Sequence, residues 1–390
     1  MIKFYINKNI IYFLMEATYF EFEFIKKLNM ENKTNNLLIS PIGIEIILSL
    51  CLNGAEGTTQ REMRELLKHQ TIEETNDNAN KIISELDKNE IVRIANGILT
   101  KIQPSELFIR KGKEVYKANI DKLKNYNNIN KWVMNKTNNK IKKIIDNLSP
   151  DVMMVLLNAI YFEAFWKIQF DINHTYEKEF KNIDDSKEYV DLMFLRGEKL
   201  PYYENEFLMA VKLDYNIPDN SINAIVILPK DETYLEQGIN YVIESLDDNL
   251  FYTIVENLNK ESNITKVNFY LPKYELEYNT NINEILKELG MKKAFEKEAE
   301  FKGICFSHDL NLFINQVIQK NYINVNEKGT QACSASELEI MLESYLTKDE
   351  TAKDFIANRP FLFILRNEKC PKGHDIIFFN KICNLTKENK

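Results

Sequence analysis

Glycine and proline are scarce in this sequence, at 11 and 9 of 390 residues. That excludes collagen-like and low-complexity chains, and no Pro-, Gly- or Ser-rich linker divides the polypeptide. The five cysteines are odd in number and include no Cys-x-x-Cys pair, so neither a disulfide framework nor a zinc ribbon is expected. Positive charge is also in deficit: 50 Lys and Arg stand against 58 Asp and Glu, a net charge of −8, which removes the global basic field of a nucleic-acid binder. No stretch approaches the roughly 20 apolar residues that a membrane-spanning helix needs. What is present is 44% apolar and 28% charged residues, enough for a large core.

Catalytic signatures are missing as well. There is no Gly-x-Ser-x-Gly elbow, no His-Glu-x-x-His, and no glycine-rich phosphate loop. The four histidines, His69, His174, His308 and His374, share no metal-ligand spacing and read as surface or capping residues, so no metal site is expected. Lys136 to Lys143 holds four lysines on a stretch read as helical, a solvated face in an acidic chain. Six Asn-x-Ser/Thr sequons, at Asn32, Asn135, Asn147, Asn173, Asn263 and Asn384, carry meaning only in a secreted chain. An enzyme is not expected.

Residues 1–14 read as an N-terminal extension and 15–390 as one domain. The uninterrupted apolar run Ile10 to Met15 is shorter than the usual signal core of about 7–15 residues. From Thr18 onward the first part of the chain reads as helical, with Phe20, Phe24 and Leu28 at four-residue spacing, a short strand before Pro41, and a helix from about Gly43 to Asn53. Helices continue to about Leu148, with one strand near Glu90 to Thr100. After Val152 the runs Val155–Phe162, Ala224–Leu228, Lys266–Leu271, Tyr322–Asn326, Phe361–Leu365 and Ile376–Phe379 read as strands, interrupted by one clear helix, Ile282 to Leu289. Helices followed by strands give an α+β class.

The segment 325–360 connects two strand-like regions and far exceeds the usual loop of about 4–6 residues. Within it, alternate residues Thr330, Ala332, Ser334, Ser336, Leu338, Ile340 and Leu342 are uncharged, while the interleaved set carries Glu337, Glu339 and Glu343. This is the period-two pattern of a half-buried strand, and no Pro or Gly interrupts it. The loop therefore has the sequence of a strand that a sheet could bury.

Glu327-Lys-Gly-Thr-Gln-Ala resembles the hinge of the reactive-centre loop of serpins. In the family's order follow or precede it Leu38-Ile-Ser-Pro, Asn53-Gly-Ala-Glu-Gly-Thr-Thr, Ile129-Asn-Lys-Trp-Val-Met-Asn-Lys-Thr, Leu157-Asn-Ala-Ile-Tyr-Phe-Glu-Ala-Phe-Trp, Leu271-Pro-Lys-Tyr, Leu286-Lys-Glu-Leu-Gly-Met and Arg359-Pro-Phe-Leu-Phe-Ile-Leu-Arg. The resemblance covers about Thr18 to Leu385. It implies a serpin fold of three β-sheets and eight to nine helices, with an exposed reactive-centre loop at about 327–359. It further implies a monomeric suicide inhibitor that traps a serine protease as a covalent acyl-enzyme when the cleaved loop inserts into sheet A. The alternatives are a non-inhibitory serpin, such as a chaperone or carrier, and a cross-class inhibitor of cysteine proteases.

By the family's spacing the fourteenth residue after Gly329 precedes the scissile bond, which places it at Glu343-Ser344 and suits an acid-selective protease. Met341, Leu342, Tyr345, Leu346 and Lys348 are the alternatives. The resemblance assigns Glu327, Lys328, Gly329, Thr330, Ala332, Ser334 and Ser336 to the hinge. It assigns Ser40, Asn158, Gln319 and Trp166 to the polar shutter and the breach of sheet A. Gly43 stands where a second Ser is frequent, and Gln319 where a His is frequent; Gln donates and accepts but does not titrate. Cys333 occupies the inserting strand and is open to oxidation. Thr71 to Asn89, corresponding to helix D, is acidic, so no heparin cofactor is expected, nor any other cofactor, nucleic acid or membrane partner. Met15-Glu-Ala resembles the start of leaderless intracellular serpins, which points to cytoplasm with leaderless release to the extracellular space; the compartment stays open.

Overall fold

The computed structural model describes residues 19–88, 91–123, 126–145, 148–305, 311–330 and 348–386. The extension 1–14 and residues 331–347, which include Ala332, Cys333, Ser334, Ser336, Met341, Leu342, Glu343, Ser344, Tyr345 and Leu346, lie outside the described residues. So does His308.

The helices are α1 (Phe20–Glu31), α2 (Pro41–Leu52), α3 (Gly57–Leu66), α4 (Ile72–Asp87), α5 (Glu106–Glu114), α6 (Tyr126–Lys136), α7 (Leu235–Ser245), α8 (Asp248–Leu258) and α9 (Asn283–Glu288). The strands of the first half are β1 (Leu37–Ile39), β2 (Val92–Thr100), β3 (Asn119–Lys122), β4 (Met154–Phe162), β5 (Ala164–Phe165), β6 (Thr175–Lys181), β7 (Lys187–Glu204) and β8 (Leu208–Asp214). Those of the second are β9 (Ile222–Pro229), β10 (Ile264–Pro272), β11 (Tyr274–Asn281), β12 (Ile314–Val325), β13 (Gly329–Thr330), β14 (Lys353–Ile356), β15 (Phe361–Asn367) and β16 (Ile376–Ile382).

Among the described residues the strands form two hydrogen-bonded paths. One runs β3-β2-β4-β12-β13-β5, with β11 on β12; the other runs β1-β16-β15-β9-β8-β7-β10-β14, with β6 on β7. The second path merges two of the three expected sheets, because the 18-residue β7 pairs with β6 and β10 along most of its length and with β8 at its end. One apolar core extends from Phe20 to Leu385 and joins both paths, and a second, smaller one packs Ile129 and Val133 of α6 against β2, β4 and β12.

Helix α2 lies at the centre. All twelve of its residues are buried, ten of them without a charged or hydroxyl side chain and Glu45 and Ser49 the exceptions, as expected of a helix enclosed in a core. It starts where it does because Pro41 tolerates the first helical position and the Ser40 hydroxyl caps the Gly43 N–H at 3.3 Å.

Two parts of the sequence reading are corrected. The strand-rich half contains α7 and α8 besides α9. Leu235, Ile239, Val242 and Ile243 in α7, and Phe251, Ile254, Val255 and Leu258 in α8, repeat at helical spacing and are buried. Their β-branched and aromatic side chains carry strand propensity, but the 3.6-residue period, with Asp247 capping α8, decides the outcome. The lysine-rich stretch is not one helix face either. Helix α6 ends at Lys136, and Asn138 and Asn139 take left-handed backbone conformations that close it, leaving Lys140, Lys142 and Lys143 beyond the helix.

Candidate functional site

The site is the place where β4 and β12, parallel neighbours over most of their length, diverge at one end. Below, Ile314 to Tyr322 pairs directly with Met154 to Tyr161. Above, β4 gives way at Glu163 to β5, and the two-residue strand β13 lies between β5 and β12. Gly329 pairs with Phe165, and Thr330 pairs with Ala164 on one side and Val325 on the other. Gly329 and Thr330 are therefore a strand of this sheet.

Local chemistry explains this placement. Asn326 and Gly329 exchange backbone hydrogen bonds of 2.9 and 3.2 Å around a tight turn at Glu327 and Lys328. Gly329 is required there, since a Cβ at this position would sit 2.1 Å from the Ala164 carbonyl oxygen. Glu327 is buried, accepts from the Thr175 hydroxyl at 3.0 Å and pairs with Lys273 at 3.3 Å. The Trp166 indole N–H donates to the Asn326 carbonyl at 2.9 Å, and the Trp166 and Phe170 amides donate to Lys328 and Glu327. Trp166 stacks on Tyr215 at 4.4 Å, and the Tyr215 hydroxyl meets Thr330 Oγ1 at 2.7 Å. Burial pushes the Tyr215 phenol well above its usual range, against the opposing pull of its bond with Thr330. Thr330 is 0% exposed, held between β5 and β12 where β4 and β12 diverge.

Below the fork lies a row of amides. Asn96, Asn158 and Gln319 are register partners across β2, β4 and β12. Gln319 Nε2 donates to Asn158 Oδ1 at 2.7 Å and to the Ser40 carbonyl at 2.9 Å, while its Oε1 accepts from the Ser40 amide at 2.8 Å. Asn158 Nδ2 donates to Asn96 Oδ1 at 2.7 Å, and Asn321 Nδ2 donates to Gln319 Oε1 at 2.9 Å and to the Leu38 carbonyl at 3.0 Å. The network ties the α2 N-terminus to both strands at the closed part of the sheet. A Cβ on Gly43 would lie 2.4 Å from Asn158 Oδ1, so the missing serine side chain is the space that Asn158 fills.

Ser40, Asn158 and Gln319 thus converge on one network, and Glu327, Lys328, Gly329, Thr330 and Trp166 on the other. Lys348 sits at the far base of the loop and pairs with Asp354 at 2.9 Å. That base is anchored by β14, parallel to β10, and by Asn268, which contacts both Asp349 and Asp354. The sequence reading passed over Asn96, Asn321, Tyr215 and Lys273. Asn96 carried a signal, being an amide inside the mostly apolar strand β2; Asn321 did not, since β12 holds several other polar residues. The histidine reading is corrected too: His69 is buried in the α3–α4 turn and His374 is largely buried in the β15–β16 turn, both against Glu45. Four cysteines, Cys51, Cys305, Cys370 and Cys383, are buried as free thiols.

The profile of the Serpin (serine protease inhibitor) family matches residues 15–385. The chain is 27% identical to a leukocyte elastase inhibitor of Xenopus laevis over 94% of its length and 97% of that protein. It is 30% identical to an uncharacterised serpin-like protein of Thermococcus kodakarensis, covering 94% of this chain and 84% of that one. Among solved structures, tengpin, a thermophilic serpin in its native state, superposes with a TM-score of 0.79 at 28% identity, covering 99% of this chain and 96% of tengpin. With these matches along nearly its whole length, the chain belongs to the serpin family.

Proposed function

We propose that this serpin is a suicide-substrate inhibitor of serine endopeptidases. The protease cleaves the reactive loop and is held as an acyl-enzyme while the loop enters the sheet between β4 and β12. The observation that carries this reading is Thr330, seated as a sheet residue between β5 and β12 and followed by an uncharged alternate series to Leu342. A strand begun at the fork can lengthen only by parting β4 from β12. Each residue added then gains ladder hydrogen bonds on both sides, with about 0.2–1 kcal/mol more from each cross-strand side-chain pair. The inward residues Ala332, Ser334 and Ser336 are small enough to enter a sheet backed by a close-packed core. The uninserted state would persist as a kinetic trap.

The scissile bond in this reading is Glu343–Ser344, with Met341, Leu342, Tyr345, Leu346 and Lys348 as displaced alternatives. The names of relatives support a protease partner: leukocyte elastase inhibitor, and intracellular coagulation inhibitor 2 of Tachypleus tridentatus at 29% identity over 87% of this chain and 84% of that one. Helix α4 carries Glu73, Glu74, Asp77, Glu85 and Asp87 against Lys81, which disfavours heparin there. The inhibitor acts as a monomer, with 15–390 as one domain. Among the described residues no helix is long and apolar enough to cross a membrane.

The test is incubation with chymotrypsin-like, elastase-like, trypsin-like and Glu-selective proteases, read by denaturing gels and intact mass. An SDS-stable adduct is expected, and the mass of the released C-terminal peptide identifies the bond. Cleavage that gives no adduct with any protease, and no rise in melting temperature, would sink the inhibitory reading and leave a non-inhibitory serpin.

A further inference from the structure

Away from the sheet, three separate elements bring one carboxylate and two imidazoles to one point. Glu45 projects from α2, His69 from the turn between α3 and α4, and His374 from the turn between β15 and β16. One ligand atom of each lies within 4.8 Å of the other two. Glu45 and His69 are 4% and 5% exposed, and the His374 side chain 12%.

The hydrogen bonds define which imidazole nitrogen is free. The Thr75 hydroxyl donates to the Thr71 carbonyl at 3.0 Å, so towards His69 Nδ1, at 2.9 Å, it acts as acceptor. His69 therefore carries its proton on Nδ1 and turns the bare Nε2 inward. That nitrogen faces Glu45 Oε1 at 3.8 Å, with the Asn78 amide at a long 3.4 Å. Nε2 and Oε1 thus turn lone pairs towards one buried point, where a single cation can be bound by both. On the other side the His374 Nδ1–H donates to Glu45 at 2.7 and 2.8 Å, so a metal ion entering there displaces that proton to solvent and takes its place on Nδ1.

We infer that Glu45, His69 and His374 form a binding site for one divalent transition-metal cation, zinc by preference, which pins α2 to the α3–α4 and β15–β16 turns. A tetrahedral zinc with bonds of about 2.0–2.1 Å holds its ligand atoms about 3.3 Å apart. The observed separations of 2.7 and 3.8 Å straddle that value, so shifts of about half an ångström complete the geometry. Two imidazoles and one carboxylate select zinc and its neighbours over calcium and magnesium. Thr75 orients His69 as outer-shell partners of zinc-bound histidines do. The fourth position falls to water, and His374, the partly exposed ligand, marks the entry side.

The test is calorimetric titration of zinc chloride into the full chain stripped with a chelator, with melting temperature as a second readout. One zinc per chain and a higher melting temperature are expected. H69Q and H374Q are expected to weaken binding at least about 100-fold, and Thr75→Val about 10-fold, in the range seen for outer-shell partners. H174Q, at a histidine outside the cluster, is expected to leave it unchanged. No saturable binding at one zinc per chain, or binding that survives both H69Q and H374Q, overturns the assignment. Should a variant fail to fold, cobalt(II) absorption of the wild-type chain decides: tetrahedral bands support the site and octahedral bands refute it. Neither result bears on protease inhibition.

Discussion

Gln319 on β12 and Asn158 on β4 stand in register and share a 2.7 Å hydrogen bond across the strand pair that loop insertion would have to part. The same Gln319 side chain holds both the amide and the carbonyl of Ser40. Closed sheet and central helix are latched by one uncharged residue.

Replacing Gln319 by Leu strands the Ser40 amide and Asn158 Oδ1 in a buried setting, while the Ser40 carbonyl keeps the Ile44 N–H. Each unsatisfied group costs about 1–3 kcal/mol. Urea unfolding is expected to show a loss in that range, and native gels a faster drift to a more stable, inactive form. Because Gln319 does not titrate, this latch is expected to hold equally at pH 5.5 and 8.

Gly329→Val places a branched side chain where even a Cβ would lie 2.1 Å from the Ala164 carbonyl and 2.7 Å from Phe165 Cα. Backbone cannot yield as a flexible side chain can, so the hinge is expected to leave the fork. Hydrogen exchange of residues 326–330 should rise by at least about tenfold, since even 1.4 kcal/mol of lost protection has that effect. Trp166 fluorescence, read in a Trp132→Phe background, should change with it.

Thr330→Arg would bring a guanidinium to the spot where Thr330 Oγ1 meets Tyr215, at a desolvation cost of several kcal/mol. The hinge is expected to stay outside the sheet and insertion to slow. About 1.4 kcal/mol in that barrier shifts the partition between trapping and release tenfold. The number of inhibitor molecules consumed per protease should therefore rise by at least that factor. Unchanged adduct yield would count against the insertion mechanism.

At the other end of the loop, Glu204 binds Lys353 of β14 at 2.6 Å and Lys230 at 2.8 Å. Those two ammonium groups hold its carboxyl down to about 2. A carboxylate with a lowered native pKa adds stability above the ordinary Glu value of about 4.3, and that stability fades as pH falls through the native pKa. The melting-temperature gap between wild type and Glu204→Gln should thus be largest above pH 4.5 and close towards pH 2. The pair is over a third exposed, so the gap should be small and shrink with salt.

Much of this was legible in the residues. The alternation from Thr330 to Leu342 marked a strand without a sheet, and the ordered series from Leu38-Ile-Ser-Pro to Arg359-Pro-Phe marked the family. Periodicity and local chemistry act over short distances, so they survive in a linear reading. Helices α7 and α8 escaped it because aromatic and β-branched residues pull propensity one way and helical spacing the other.

The sequence by itself determined that the chain carries a strand-like loop behind a glycine hinge, with polar residues inside apolar strands. Only the tertiary structure decided that Thr330 is already seated in the sheet, since that depends on β4 breaking at Glu163 while β12 runs on past it. Likewise His69 and His374 read as surface residues until folding carried both onto Glu45. The contact of His374 with Glu45 joins residues 329 apart, and its geometry arises from the packing of the whole core rather than from any local pattern.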